Sequence, residues 1–90
     1  MTNYDEIKLL IDNNQTEQAI ALLDEMIEKN PKDDQLYYLR GNAYRKHNNW
    51  KNALTNYATA MDLNPESPAA RAYQASMDVL EFFNKDLLNP

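Results

Sequence analysis

A chain of 90 residues has room for one domain with a modest core. It contains no cysteine, which excludes disulfide staples and thiolate metal sites, and its single glycine leaves little room for a phosphate-cradling loop. Fourteen acids against nine bases give a formal net charge of −5, which argues against general nucleic-acid binding.

The acidity is uneven. Residues 1–33 hold three lysines against eight acids, whereas residues 34–67 hold four bases against three acids. No apolar run approaches the ~20 residues that span a bilayer. The opening MTNYDEIKLL lacks a basic segment followed by an apolar one, so no signal peptide, no membrane association and a cytoplasmic location are expected.

The first element, residues 3–13, reads as a helix with Ile7, Leu10 and Ile11 on its inner side. Asn14 and Gln15 form a turn, and Thr16 is the expected N-cap of the next helix, with Glu17 in its first turn. Asn14-Gln15-Thr16 also matches a glycosylation acceptor, but without a signal peptide the turn reading is preferred. The second helix, residues 16–30, buries Ala19, Ile20, Leu23, Met26 and Ile27. Asp24, Glu25 and Glu28 decorate its solvated side, with Lys29 placed to pair with Glu25 one turn earlier.

The third helix, residues 34–47, carries Leu36, Tyr37, Leu39, Gly41, Ala43 and Tyr44 at helical spacing. His47-Asn48-Asn49 supplies the following turn, since asparagine tolerates the left-handed conformation and caps helices. The fourth helix, residues 49–63, carries Trp50, Ala53, Leu54, Tyr57, Ala60, Met61 and Leu63, and Asn64-Pro65 ends it. A shift of 34 residues superposes Asn14 on Asn48, Ala19 on Ala53, Leu23 on Tyr57, Asn30 on Asn64 and Pro31 on Pro65, so the chain contains an internal repeat. The last helix, residues 67–84, starts at Ser67-Pro68 and has an expected inner face of Ala70, Tyr73, Met77 and Leu80.

The central stretch resembles the tetratricopeptide repeat. The family pattern is W-x2-L-G-x2-Y, then A-x3-F, then P, with a period of about 34 residues. Here it runs Tyr37-x2-Arg40-Gly41-x2-Tyr44, then Ala53-x3-Tyr57, then Pro65. Arg40 stands where the family has leucine; its stem can cover apolar surface while its head reaches water. The resemblance implies an all-α, right-handed superhelix of antiparallel helix pairs. The expected organisation is one domain over 1–90, with repeats at about 1–33 and 34–67 and a capping helix with tail over 68–90. Its core should include Ala19, Leu23, Ala43, Tyr44, Ala53, Tyr57 and Ala60.

His47 is the single histidine and has no second ligand of its kind, and no nucleophile–base motif is present. Four methionines at core spacing read as packing. No enzymatic activity, metal or cofactor is expected.

The resemblance implies instead a non-enzymatic module that binds a protein or peptide segment in a concave groove. The matching groove stripe is Gln35, Tyr38, Asn42 and Arg45 on the third helix, with Tyr4 and Lys8 on the first and Ala72 and Ser76 on the last. The carboxylate clamp by which some of these domains bind chaperone C-termini is not expected, because Tyr38 and Tyr73 occupy positions that the clamp requires to be lysine and asparagine. An alternative is self-association through the apolar residues Phe82, Phe83, Leu87 and Leu88, with a monomer as the first expectation and a homodimer as the second.

Overall fold

The computed structural model describes residues 3–83 and consists there of helices and their connections, without a strand. The helices are α1 (Tyr4–Asp12), α2 (Thr16–Lys29), α3 (Asp34–Lys46), α4 (Trp50–Leu63) and α5 (Ala69–Phe83). Side chains cap four of their five starts, supplying acceptors for amides that have no partner inside the helix. Asn3 accepts from the Glu6 amide at 3.0 Å, Asp33 from Gln35 at 3.0 Å, Asn49 from Asn52 at 3.2 Å and Ser67 from Ala69 at 3.0 Å.

The expected cap at Thr16 is corrected. Thr16 is the first residue of α2, Gln15 precedes it without a side-chain cap, and Thr16 is buried. Its hydroxyl lies 3.1 Å from His47 Nδ1 and ties the α1–α2 turn to the α3–α4 turn. A side chain committed to the neighbouring turn is no longer available to its own helix.

The two turns are copies of one another. Asn14 and Asn48 have φ of 64° and 62°, in the left-handed region that asparagine tolerates better than most residues. The next amides, of Gln15 and Asn49, donate to Leu10 and Tyr44 carbonyls at 2.8 Å each. The sequence repeat is therefore a repeat of backbone geometry.

The buried residues fall into two clusters. Ile7, Ile11, Ala19, Leu23, Leu36, Leu39 and Ala43 join α1, α2 and α3. Ala53, Tyr57, Ala60 and Ala69 join α4 to α5, with Tyr37, Tyr38 and Tyr44 of α3 packed around them. Six of the expected core residues are fully buried, but Tyr44 is only half-buried at the edge of the second cluster. The α3–α4 crossing explains this. A Cβ on Gly41 would stand 2.6 Å from Cδ1 and Cε1 of Tyr57, so the bare glycine backbone receives the Tyr57 ring at the centre of the contact, with Tyr44 at its edge.

The inner face of α5 is also corrected. Ala69 and Ser76 are its buried residues and Ala72 and Tyr73 pack against α4, whereas Ala70, Met77 and Leu80 are only partly covered. Tyr73 packs inward as expected, while the buried positions beside it are Ala69 and Ser76 in place of Ala70 and Met77, one residue earlier in each case. Ser67, itself buried, fixes that start by capping the Ala69 amide. The side of α5 that corresponds to the α4-facing side of α3 is polar and exposed, with Arg71, Gln74 and Asp78, and Gln74 donates to Asp78 at 3.0 Å.

Candidate functional site

Two adjoining hollows run along α1 and α3 and share Lys8, Tyr38 and Leu39. One, about 260 Å³, is also lined by Asp34, Gln35, Asn64 and Pro68. The other, about 270 Å³, is also lined by Ile11, Asp12 and Asn42. Together they form a groove with a floor from the first core cluster and a polar rim. Lys8 and Gln35 are exposed, and Tyr38 and Asn42 are half-buried. At one end Asn64 donates to Asp34 at 3.3 Å, fixing the connection after α4 against the start of α3.

Four of the expected groove residues, Lys8, Gln35, Tyr38 and Asn42, thus meet in one groove. Arg45 is exposed one turn beyond Asn42 and its charge reaches the Tyr57 phenol. The other three do not join them. Tyr4 donates its hydroxyl to the Asp33 carboxylate and lines a separate hollow with Asn3, Met26, Asn30 and Leu36. Hydrogen bonding to Asp33, reinforced by burial and the negative charge, pushes the Tyr4 pKa up to about 12. Ser76 is buried with its hydroxyl on the Ala72 carbonyl at 2.7 Å, and Ala72 packs against the α4–α5 cluster. These two stand one repeat after Asn42 and Tyr38, and their side chains are too short to project past the contact that α5 makes with α4.

Beneath the groove lies a residue that the sequence assigned only to the core. Tyr57 is fully buried, its ring centroid 6.1 Å from that of Tyr38, and its hydroxyl donates to Asn42 Oδ1 at 2.5 Å. Burial pushes its pKa up to about 12, with the nearby Arg45 charge opposing the shift. The signal in the sequence was the hydroxyl itself, present where the repeat pattern has phenylalanine.

Arg40, the departure from the repeat pattern, serves packing outside the groove. Its Nε donates to Asn56 Oδ1 at 2.7 Å, its Nη1 to Asp24 at 2.8 Å, and its guanidinium lies 5.5 Å from the Tyr37 ring centre. Asn56 is buried and donates onward to the Asn52 carbonyl at 2.8 Å. Asp24 was expected to be merely solvated; among the described residues it makes the ion pair, and the expected Glu25–Lys29 pair is not formed.

No group of three His, Cys, Asp or Glu side chains among the described residues could hold a metal ion. No helix among them is long and apolar enough to cross a membrane. At the far end of α5, Phe82 and Phe83 are 74% and 72% exposed and meet edge to face. Leu87 and Leu88, expected beside them, lie outside the described residues.

The chain matches the family model of the tetratricopeptide repeat over residues 4–68 and again over 38–77. Comparison with curated protein sequences gave no match. Among solved structures it resembles the solution NMR structure of Bacteroides fragilis protein BF1650, with 46% sequence identity and a TM-score of 0.90. The likeness covers 99% of this chain and 91% of that one. Domains of this kind generally mediate protein–protein interaction. The repeat pattern, the duplicated turns and both comparisons agree: the chain belongs to the tetratricopeptide repeat family.

Proposed function

We propose that this protein is a non-enzymatic, monomeric module that binds an extended peptide or protein segment in the groove between α1 and α3. The observation that carries the reading is the convergence of Lys8, Gln35, Tyr38 and Asn42 on one continuous groove. The half-exposed Tyr38 ring offers an apolar surface with a polar tip, and Asn42 and Gln35 offer amides for a peptide backbone. Lys8 and Arg45 set two cations beside the groove acids Asp12 and Asp34, which favours a segment with acceptors near the cations.

Arg45→Glu and Tyr38→Ala are each expected to weaken partner capture by about tenfold, the size of a central interface contact of ~1–2 kcal/mol. The circular dichroism spectrum should stay that of the parent. Capture unchanged by both substitutions would remove the groove from consideration.

The exposure of Phe82 and Phe83 favours a second reading, self-association through the end of α5. Analytical ultracentrifugation separates the two. The groove reading expects one species at monomer mass across a wide concentration range. A dimer that is lost in Phe83→Ser, with helicity kept, would move the interaction to α5.

A further inference from the structure

We infer that Tyr57 is a positioning residue for the groove: from inside the core it fixes the Asn42 side chain so that its amide nitrogen, and not its carbonyl, faces a bound segment. This rests on the groove reading for its purpose, but the positioning belongs to the unbound protein.

The orientation follows from what a phenol can do. Tyr57 is fully enclosed, and among the described residues its hydroxyl has one hydrogen-bond partner, Asn42 Oδ1 at 2.5 Å. A buried phenol that only accepted from Asn42 would leave its own proton without an acceptor, at the cost of an unsatisfied buried donor. With its pKa raised to about 12, the phenol keeps that proton at neutral pH. Donation therefore goes to Oδ1, and Nδ2 must point away from Tyr57.

Nδ2 makes no hydrogen bond among the described residues, yet no buried side-chain nitrogen or oxygen there is left unpaired, so this amide is not fully enclosed. Asn42 lines the hollow shared with Lys8 and Tyr38. An asparagine free to flip offers a donor or an acceptor with little preference. One held by Tyr57 keeps its oxygen on the phenol and turns its two N–H donors away from it. Lys8 and Arg45, the cations on the same stretch, are also donors without acceptor capacity. Asp12 is the acceptor in the same hollow, so the donors of Asn42 and Lys8 suit the neutral carbonyl oxygens of a segment. A phenylalanine at position 57 would fill the same space and leave Asn42 unfixed.

The test reads the Asn42 side-chain amide by NMR in the unbound protein, for the parent and Tyr57→Phe. In Tyr57→Phe the Asn42 amide signals should move toward those of a solvated asparagine while backbone signals away from the site stay in place. Two small probes then report polarity: N,N-dimethylacetamide, which only accepts, and methylammonium, which only donates. The parent's Asn42 amide should respond to dimethylacetamide and not to methylammonium, and Tyr57→Phe should lose that preference. If Tyr57→Phe does not fold, the parent alone decides, through a slowly exchanging Tyr57 hydroxyl proton with a cross-relaxation peak to Asn42. Asn42 signals unchanged in a folded Tyr57→Phe, equal response to both probes in the parent, or no protected Tyr57 hydroxyl would each overturn the inference. A groove that captures no protein while Asn42 is held as described would strike the functional reading alone.

Discussion

Tyr57→Ala is expected to cost about 3–5 kcal/mol of folding stability, the range for truncating a buried aromatic ring. The ring is fully enclosed, is received by Gly41, and leans on Tyr38 at 6.1 Å between centroids. Its removal opens a void where α3 crosses α4, and that crossing also holds α5 through Ala60 and Ala69. A domain of this size has roughly 5–15 kcal/mol to lose, so the variant stands near its unfolding threshold. Urea melts are the measurement, with the change in midpoint converted through the slope. Tyr44→Ala should cost less, because that ring is only partly buried. Equal losses for the two tyrosines would contradict the packing described for the crossing.

Gly41→Ala is the second large effect, and its sign is the opposite of what helix propensity suggests. Inside a helix, alanine is preferred to glycine by about 1 kcal/mol. Here the new methyl would meet two carbons of the Tyr57 ring at 2.6 Å and the Ala53 carbonyl oxygen at 3.2 Å. The ring is enclosed and the carbonyl is backbone, so neither can give way cheaply. Overpacking of this kind costs about 1–3 kcal/mol, and a net loss is expected. The cause can be isolated with Tyr57→Leu. In that background the obstructing ring carbons are gone, and Gly41→Ala should be neutral or stabilising, a strong coupling in a double-mutant cycle. Additive losses would show that the ring is not what excludes a side chain at position 41.

These two residues also mark how much could be read from the sequence. Helical spacing and the 34-residue repeat identified Ala19, Leu23, Ala53, Tyr57 and Ala60 as core, because a repeated local pattern specifies a repeated local contact. The turns were legible for the same reason: Asn14 and Asn48 are suited to the left-handed backbone that each adopts. What escaped depends on long-range geometry. Periodicity marks an apolar stripe but not its rotation, so in α5 it could not choose between Ala69 and Ala70, two alanines that look alike in sequence. Tyr4 was assigned to the groove because nothing local reveals that Asp33, across the connection after α2, takes its hydroxyl. Arg40 was legible as a departure, but its partners Asp24 and Asn56 each lie 16 residues away on different helices.

The candidate site divides along the same line. Lys8, Gln35, Tyr38 and Asn42 followed from the resemblance to the repeat family, which carries a groove with it. The hydrogen bond from Tyr57 to Asn42 did not follow, since that pattern places phenylalanine at the tyrosine's position.

The claim that the groove between α1 and α3 is the binding surface is tested most directly by mapping a captured partner segment onto the labelled protein by NMR. The expected result is a continuous set of shift changes through Lys8, Gln35, Tyr38, Asn42 and Arg45, with the Asn42 side-chain amide among them. Shift changes confined to Phe82 and Phe83, or to the side of the array that carries Asp24, Arg40 and Asn56, with the groove signals unmoved, would contradict it.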